Sequence, residues 1–145
     1  MGATYEKTSV SSELAHRMIE AAEAKARDMG HPFVIAIVDE SGVLKAFSRM
    51  DGAPLLSVQV AQDKAYTAAG FSMPTHAWHD FIKSDAPLAA GAPTGIDRLV
   101  IFGGGYPIEV GGRVVGGVGV SGGHYSDDMQ VAEAALTVVG GASAS

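Results

Sequence analysis

Two glycine-rich corners are the strongest candidates for chemistry in this sequence. Each follows an apolar run, and their members are Gly103, Gly104, Gly105, Ser121, Gly122 and Gly123. Consecutive glycines expose backbone N–H groups that bind anions, and the second corner leads into a predicted helix, whose N-terminus also favours anions. We therefore predict that the corners hold a carboxylate or phosphate. Close packing of strands is the alternative explanation of the same glycines.

Two basic residues are candidates for proton transfer to such a ligand. His124 directly follows the second corner, next to Tyr125, and an imidazole that titrates near neutrality exchanges protons readily. Lys64 is the rival base, and it needs burial to lower its pKa far enough. The alternative for His124 is a surface histidine in a turn. We expect His124 and Lys64 to be catalytic if the protein is an enzyme.

Arg49 is a candidate for binding a carboxylate, since a guanidinium does so with two parallel hydrogen bonds. Lys64 shares this role as a cation. Either residue has nearby acidic side chains, among them Asp51 and Asp63, with which it could pair instead.

His76 and Trp78 belong to a third group, in a short predicted helix that also contains His79. The spacing of the two histidines permits a shared metal ion, but no third ligand with a recognisable spacing accompanies them. We therefore predict no metal site. Instead, we expect Trp78 and Phe81 to cover a ligand pocket, with His76 as a polar contact.

Composition excludes several classes of protein. The 145 residues suffice for one domain, and the net charge of −6 without a basic cluster argues against nucleic-acid binding. The absence of cysteine excludes disulfides, thiolate catalysis and cysteine-ligated metal sites. The chain shows neither a signal peptide nor an apolar run of membrane-spanning length, so we expect a cytoplasmic protein without a membrane partner.

The positions of these candidates depend on four predicted helices. Apolar periodicity predicts helices from Ser11 or Ser12 to Met29 and from Leu55 to Gly70. A short helix begins at Thr75, and the last runs from Met129 to Val139, capped by Ser126 or Asp127. In the second helix Lys64 is expected beside the apolar stripe and Thr67 on the far side. The proline-containing stretch Asp85–Gly95 is predicted to be an irregular loop.

Apolar and β-branched runs predict the strands, which are Phe33–Val38, Val43–Met50, Leu99–Phe102 and Arg113–Val120, with one more before Gly111. Asp39–Gly42 and Gly111–Gly112 are typical of hairpin turns. Because hairpins outnumber crossovers, the predicted class is α+β with a mixed or antiparallel sheet and helices on both faces.

Four segments together resemble the GlcG/HbpS-like family, which includes the C-terminal domain of PduO-type proteins. They are IAIVDESGVLKAFSRMDGA (35–53), AQDKAYTAAGF (61–71), FGGGYPIEVGGRVVGGVGVSGG (102–123) and the terminal DxxVAEAAL (128–136). The resemblance implies a single domain over residues 1–145, with a five-stranded antiparallel sheet flanked by helices in a profilin-like arrangement. It also implies a homo-dimer or a larger even-numbered homo-oligomer.

Three functions remain open. The resemblance implies a small-molecule-binding protein for a planar, carboxylate-bearing ligand such as haem, with His16, His76, His79 or His124 as the iron ligand. The alternative is a cofactor-independent isomerase, tautomerase or lyase for a small oxo or hydroxy acid of aromatic or glycolate catabolism, with the glycine N–H groups holding an oxyanion. The third is a structural or accessory subunit of a catabolic enzyme.

Overall fold

The computed structural model of the protein describes residues 2–141. Its helices are α1 (Ser12–Met29), α2 (Leu55–Phe71), α3 (Thr75–Ile82), α4 (Ala86–Gly95) and α5 (Tyr125–Leu136), with a short 3-10 turn at Val139–Gly141. Its strands are β1 (Val34–Asp39), β2 (Leu44–Arg49), β3 (Gly105–Val110) and β4 (Arg113–Ser121). The chain thus has the predicted α+β class, with an antiparallel sheet between helices.

The sheet has four strands in the order β2-β1-β4-β3, so the expected fifth strand is absent from the described residues. The prediction of a strand at Leu99–Phe102 is wrong. In that segment the Val100 N–H donates to the hydroxyl of Thr67 on α2, 3.1 Å away, instead of to another strand. Ladder pairing begins only at Gly105, opposite Gly119. The apolar residues of this segment therefore lie beside helix α2 and are not part of the sheet.

The hairpin between β3 and β4 forms as predicted. Gly111 and Gly112 have φ values of 58° and 77°, the left-handed region that a tight two-residue turn requires. Pro107 lies on β3, an edge strand, where the missing N–H of proline is tolerated. The hairpin places the start of β3 beside the end of β4, which is where the two glycine corners lie.

Helix α2 covers one face of the sheet at unusually short range. A Cβ added to Gly117 or Gly119 of β4 would overlap the carbonyl oxygens of Ala65 and Ala61, respectively. Alanines on the helix and glycines on the strand therefore allow the two backbones to approach closely. Thr67 is buried here, contrary to its expected position on the far side of the helix.

Helices α1 and α5 cover the opposite face, which holds the larger core. Alternate residues of β1 divide between the two layers: Ile35 and Ile37 pack with α1 and α5, whereas Val34, Ala36 and Val38 face α2. This alternation follows from the two-residue repeat of a strand, and it explains why β1 is apolar throughout.

Two local predictions are corrected by the structure. The stretch predicted as a loop from Asp85 forms helix α4, with Pro87 in its first turn and Pro93 inside it. The Asp85 carboxylate caps this helix by accepting the Leu88 N–H at 3.2 Å. Helix α5 begins earlier than expected, because His124 is its N-cap in place of Ser126 or Asp127. Within residues 2–141, every helix is too short or too polar to span a membrane.

Candidate functional site

The structure brings the two glycine corners together. The Val120 N–H donates to the Gly104 carbonyl at 2.9 Å, immediately before the pairing of Gly105 with Gly119. Residues 103–105 and 121–123 therefore form one continuous region at the end of the β3–β4 hairpin.

Protein atoms already occupy part of this region. The Gly105 N–H donates to the Thr75 hydroxyl at 2.9 Å, and the Gly123 N–H donates to the Asp128 carboxylate at 3.1 Å. Gly104 has a φ of +127°, and a Cβ there would lie 2.7 Å from the Lys64 ammonium. Close packing against α2 and α3 therefore accounts for Gly104 and Gly105.

Lys64 and Asp128 form a buried ion pair beneath the corners. The Lys64 Nζ donates to Asp128 Oδ2 at 2.8 Å and to the Val120 carbonyl at 2.9 Å, and the Lys64 side chain has no exposed surface. The ammonium also lies 5.0 Å from the ring centroid of Phe102. The pair thus connects α2, the end of β4 and the first turn of α5.

Burial dominates the electrostatics of this pair. Loss of solvent lowers the pKa of Lys64, and the charge and hydrogen bond of Asp128 oppose that effect. Burial likewise raises the pKa of Asp128, which Lys64 and the Gly123 N–H oppose. Lys64 therefore has the burial that a base would need, but its hydrogen bonds are directed to protein groups and it is sealed from solvent.

The pairing of Lys64 with Asp128 was not predicted. The sequence places Asp128 in the first turn of the last helix, where an acidic residue is explained by the helix dipole alone. Lys64 was expected beside the apolar stripe of α2, but it is fully buried. It is buried because one side of α2 packs on β4 and another side contacts the segment before β3. The sequence feature that could have predicted this burial is the position of Lys64 among alanines that are themselves buried.

His124 lies on the surface at the start of α5. Its Nδ1 accepts the Ser126 N–H at 3.2 Å and caps the helix, and its ring lies 4.1 Å from that of Tyr125. Tyr125 thus neighbours the imidazole, as expected. The Nδ1 is committed to the helix, so the capping role accounts for one of the two ring nitrogens.

His76 on α3 is exposed and lies beside the first glycine corner, residues 103–105. A Cβ added to Gly103 would lie 3.4 Å from the His76 Cβ and would overlap the Met129 sulfur. Tyr106 lies 5.6 Å from the His76 ring, and Phe102 is 46% exposed. We call these five residues, His76, Phe102, Gly103, Tyr106 and Met129, the corner face.

Tyr106 is held on this face by the carboxylate of Glu133 on α5, to which its hydroxyl donates at 2.5 Å. Burial, the hydrogen bond and the charge of Glu133 all raise the pKa of the phenol. Tyr106 therefore stays neutral across the physiological range and fixes one wall of the face.

The remaining predicted site residues lie elsewhere or are engaged. The Arg49 guanidinium donates to the Ala53 carbonyl at 2.9 and 3.2 Å, and the Ser121 hydroxyl donates to Ser57 at 3.2 Å. Within the described part of the chain, no three His, Asp or Glu side chains form a group suited to a metal ion.

Trp78 is buried in helix α3. It packs between Phe71 and Phe81, with ring centroids 5.0 and 5.6 Å away, and it lines a separate cavity of about 410 Å³. We call this the Trp78 cavity. Turn 40–42, the end of α2 and residues Ile96, Asp97 and Leu99 form its other walls.

Comparison with known proteins places the chain in a family. The model of a family described as "Haem degrading protein HbpS-like" matches residues 10–137. An uncharacterized 15.0 kDa protein from the dhaT-dhaS intergenic region of Citrobacter freundii is 38% identical over 136 residues, which cover 94% of this chain and 96% of that protein. The corrinoid adenosyltransferase PduO of the same organism is 34% identical over 90% of this chain, which spans only 39% of PduO.

Two crystal structures are similar over nearly the whole chain. Protein ORFY of Klebsiella pneumoniae is 30% identical with a TM-score of 0.91, and 98% of each chain is covered. The complex of PduOC with haem is 32% identical with a TM-score of 0.82, and it covers 90% of this chain and 94% of PduOC.

Proposed function

Because this chain belongs to the HbpS-like family of haem degrading proteins, we propose that it binds a planar, carboxylate-bearing ligand of the haem type on the corner face. The haem complex of PduOC, at 32% identity, supports this class of ligand. Haem supplies an iron centre that binds small ligands and exchanges electrons. The residues of this chain bind and orient it.

The observation that carries the proposal is the meeting of His76 and Met129 at Gly103. Imidazole and thioether are both established ligands of haem iron, and the Met129 sulfur and the Cβ of His76 both lie next to the position that a side chain on Gly103 would take. The exposed ring of Phe102 and the fixed ring of Tyr106 add apolar surface for a flat macrocycle. The donor set and the surface therefore fit haem.

The other three histidines that the sequence put forward have less support as iron ligands. The Nδ1 of His16 lies 2.6 Å from the Ser12 carbonyl on α1, and His124 caps α5. His79 lies on α3 three residues after His76, but it is not among the residues that surround Gly103. His76 is therefore the residue that we assign to the iron.

The carboxylates of the ligand would point towards solvent. Lys64 is buried and bonded to Asp128, and Arg49 is bonded to Ala53, so neither cation is available without rearrangement. Because Gly105 and Gly123 already donate to protein groups and His124 caps α5, the N–H groups of the other corner glycines remain as weaker anion partners. We expect the ring and the iron to provide most of the binding energy.

An absorbance titration with haemin tests the proposal. The parent protein should give a saturable Soret shift, and His76→Ala should shift the band and weaken binding at least about tenfold, the loss of one coordinate bond. His79→Ala is the matched control, because it removes an exposed imidazole from the same helix, and it should bind like the parent. A parent without a saturable shift, or equal behaviour of both variants, would contradict the proposal.

The alternative function, cofactor-independent proton transfer on a small oxo or hydroxy acid, has less support. Its candidate base Lys64 is sealed from solvent, and His124 uses one nitrogen as a helix cap. His124→Ala would test it, because this enzyme should lose most turnover with that change while its stability falls only by the cost of a cap, about 1 kcal/mol.

We further propose that the protein forms a homo-dimer or a larger even-numbered oligomer. Leu55 and Leu56 at the start of α2 are 73% and 81% exposed. Large apolar side chains in adjacent positions are typical of subunit interfaces. Light scattering at micromolar concentration should give a multiple of the 14.8 kDa chain mass, and a monomer would contradict this.

A further inference from the structure

The Trp78 cavity is a concave site separate from the corner face. Its volume of about 410 Å³ lies within the range of small-molecule sites. The turn after β1 forms one wall, the last two turns of α2 another, and Ile96, Asp97 and Leu99 the third. None of the five corner-face residues lines it.

Two residues that line this cavity each carry a buried polar atom without a hydrogen-bond partner among the described residues. The two atoms are the Trp78 Nε1 and the Glu40 Oε2. Trp78 is only 4% exposed. Buried polar groups in native proteins are nearly always paired, so these two require an explanation. The indole nitrogen requires an acceptor, and the carboxylate oxygen requires a donor.

Aromatic rings supply most of the apolar lining. Tyr66 and Phe71 on α2 face the cavity together with Trp78, and the ring centroids of Phe71 and Trp78 are 5.0 Å apart. Such surfaces favour a flat aromatic ligand and also stabilise a cation placed over a ring.

The charges around the cavity favour a cation over an anion. Its charged lining residues are two acids, Glu40 and Asp97. Lys7 Nζ lies 3.8 Å from the other Glu40 oxygen, Oε1. The Arg98 guanidinium lies over the Tyr66 ring at 4.0 Å and donates to Asp63 at 2.8 Å. Because these two cations face three carboxylates, the net charge near the cavity stays negative.

We propose that the Trp78 cavity binds a small aromatic amine that also carries a hydroxyl or ether oxygen. The ammonium donates to Glu40, the oxygen accepts from the Trp78 indole, and the ring packs against Phe71 and Tyr66. This ligand differs in size and in charge from the haem-type ligand of the corner face, so the protein has two sites with opposite preferences.

Fluorescence of Trp78, the sole tryptophan of the chain, tests the proposal. The probes are 2-amino-1-phenylethanol, 1-phenylethanol and 3-hydroxy-3-phenylpropionate, which share the ring and the hydroxyl and differ in one substituent: an ammonium, a hydrogen or a carboxylate. The amine should change the emission saturably and bind at least about tenfold more tightly than the carboxylate, with the alcohol between them. A carboxylate that binds as tightly as the amine, or no saturable change with any probe, would overturn the proposal.

A matched pair of glycine substitutions locates the binding. Gly70 and Gly91 are both helical, and a Cβ at either position meets no atom within 4 Å, but only Gly70 lines the cavity. Gly70→Leu should therefore fill the cavity and weaken amine binding at least about tenfold, while Gly91→Leu should bind like the parent. Retained binding in Gly70→Leu would refute the assignment.

Glu40→Gln provides a second test that does not depend on filling the cavity. It removes the negative charge while keeping the side-chain size, so the preference for the amine over the alcohol should fall severalfold. An unchanged preference would exclude Glu40 as the ammonium partner and overturn the proposal. Gly70→Leu should bind haemin like the parent protein. The two proposals are therefore tested separately, and failure of the haem proposal would not change how the amine result is interpreted.

Discussion

The region beneath the glycine corners and the region around Trp78 treat buried polar groups in opposite ways. At the corners, the Lys64 ammonium has two short hydrogen bonds, and both oxygens of Asp128 have partners. At the cavity, the Trp78 indole and one Glu40 oxygen have no partner among residues 2–141. A satisfied buried pair is consistent with a structural role, whereas unpartnered atoms beside an open volume indicate a ligand.

The comparison also shows that a residue of a suitable type is not always available to a ligand. Lys64 has the residue type and the burial of a catalytic base, but every contact assigned to its ammonium is a protein group that holds elements together. Glu40 has a commonplace side chain in a turn, but one of its oxygens has no hydrogen-bond partner among residues 2–141. Geometry and not residue type decides which of these two side chains is able to interact with a ligand.

The largest expected effect comes from breaking the buried pair. Lys64→Met leaves the Asp128 carboxylate buried without its partner, and we expect the free energy of unfolding to fall by about 3–5 kcal/mol. Urea denaturation measures this loss. Glu40→Gln at the cavity is the comparison variant and should change stability by less than about 1 kcal/mol, because the pair that it removes, with the Lys7 ammonium 3.8 Å away, is partly exposed.

The double variant Lys64→Met with Asp128→Leu sharpens the result. It removes both charges, so most of the lost stability should return. If Lys64→Met alone stays within about 1 kcal/mol of the parent, the pair is not the connection that we describe.

A smaller effect should distinguish the glycines that allow packing from those that leave space. In Gly119→Ala the new methyl group overlaps the Ala61 carbonyl, and we expect a cost of about 1–3 kcal/mol as α2 is pushed from the sheet. Gly70→Ala has open space at its Cβ and should instead stabilise the helix by about 0.5–1 kcal/mol. Thermal unfolding should place the two midpoints on opposite sides of the parent value, and a common direction would contradict this account.

The smallest effect concerns pH. The pKa of Tyr106 is raised above its ordinary value of 10.0 by burial and by Glu133. Its contribution to stability is therefore complete below pH 10 and is lost as the pH rises from there towards the higher folded pKa. Tyr106→Phe should flatten the decline of the unfolding free energy above pH 10, while Tyr5→Phe, at an exposed position, should keep the slope of the parent. Equal slopes in both variants would show that Tyr106 is not responsible.

Local patterns predicted most of the fold. The left-handed turn at Gly111 and Gly112 follows from glycine alone, and the apolar run of β1 follows from burial on two faces. Predictions were wrong where a tertiary contact took the place of a local one. Leu99–Phe102 is not a strand because Thr67 binds the Val100 N–H, and the Asp85 cap starts a helix in a stretch whose prolines favour a loop.

The candidate site was harder to predict than the fold, because its contacts join residues that are far apart in the sequence. The sequence put forward both glycine corners and His76 as candidates, and the structure places the His76 Cβ next to Gly103, while their role in binding stays a prediction. The sequence gave no indication that Lys64 would meet Asp128, since sixty-four positions separate them. The unpartnered atoms of Trp78 and Glu40 are likewise properties of three-dimensional packing, which periodicity and spacing do not report.

A crystal structure of the protein grown with both haemin and 2-amino-1-phenylethanol tests the contrast between the two regions most directly. Our account predicts the haem iron bonded to His76 on the corner face, and the amine in the Trp78 cavity with its ammonium on Glu40. Haem inside the Trp78 cavity, or iron bonded to any histidine other than His76, would contradict it.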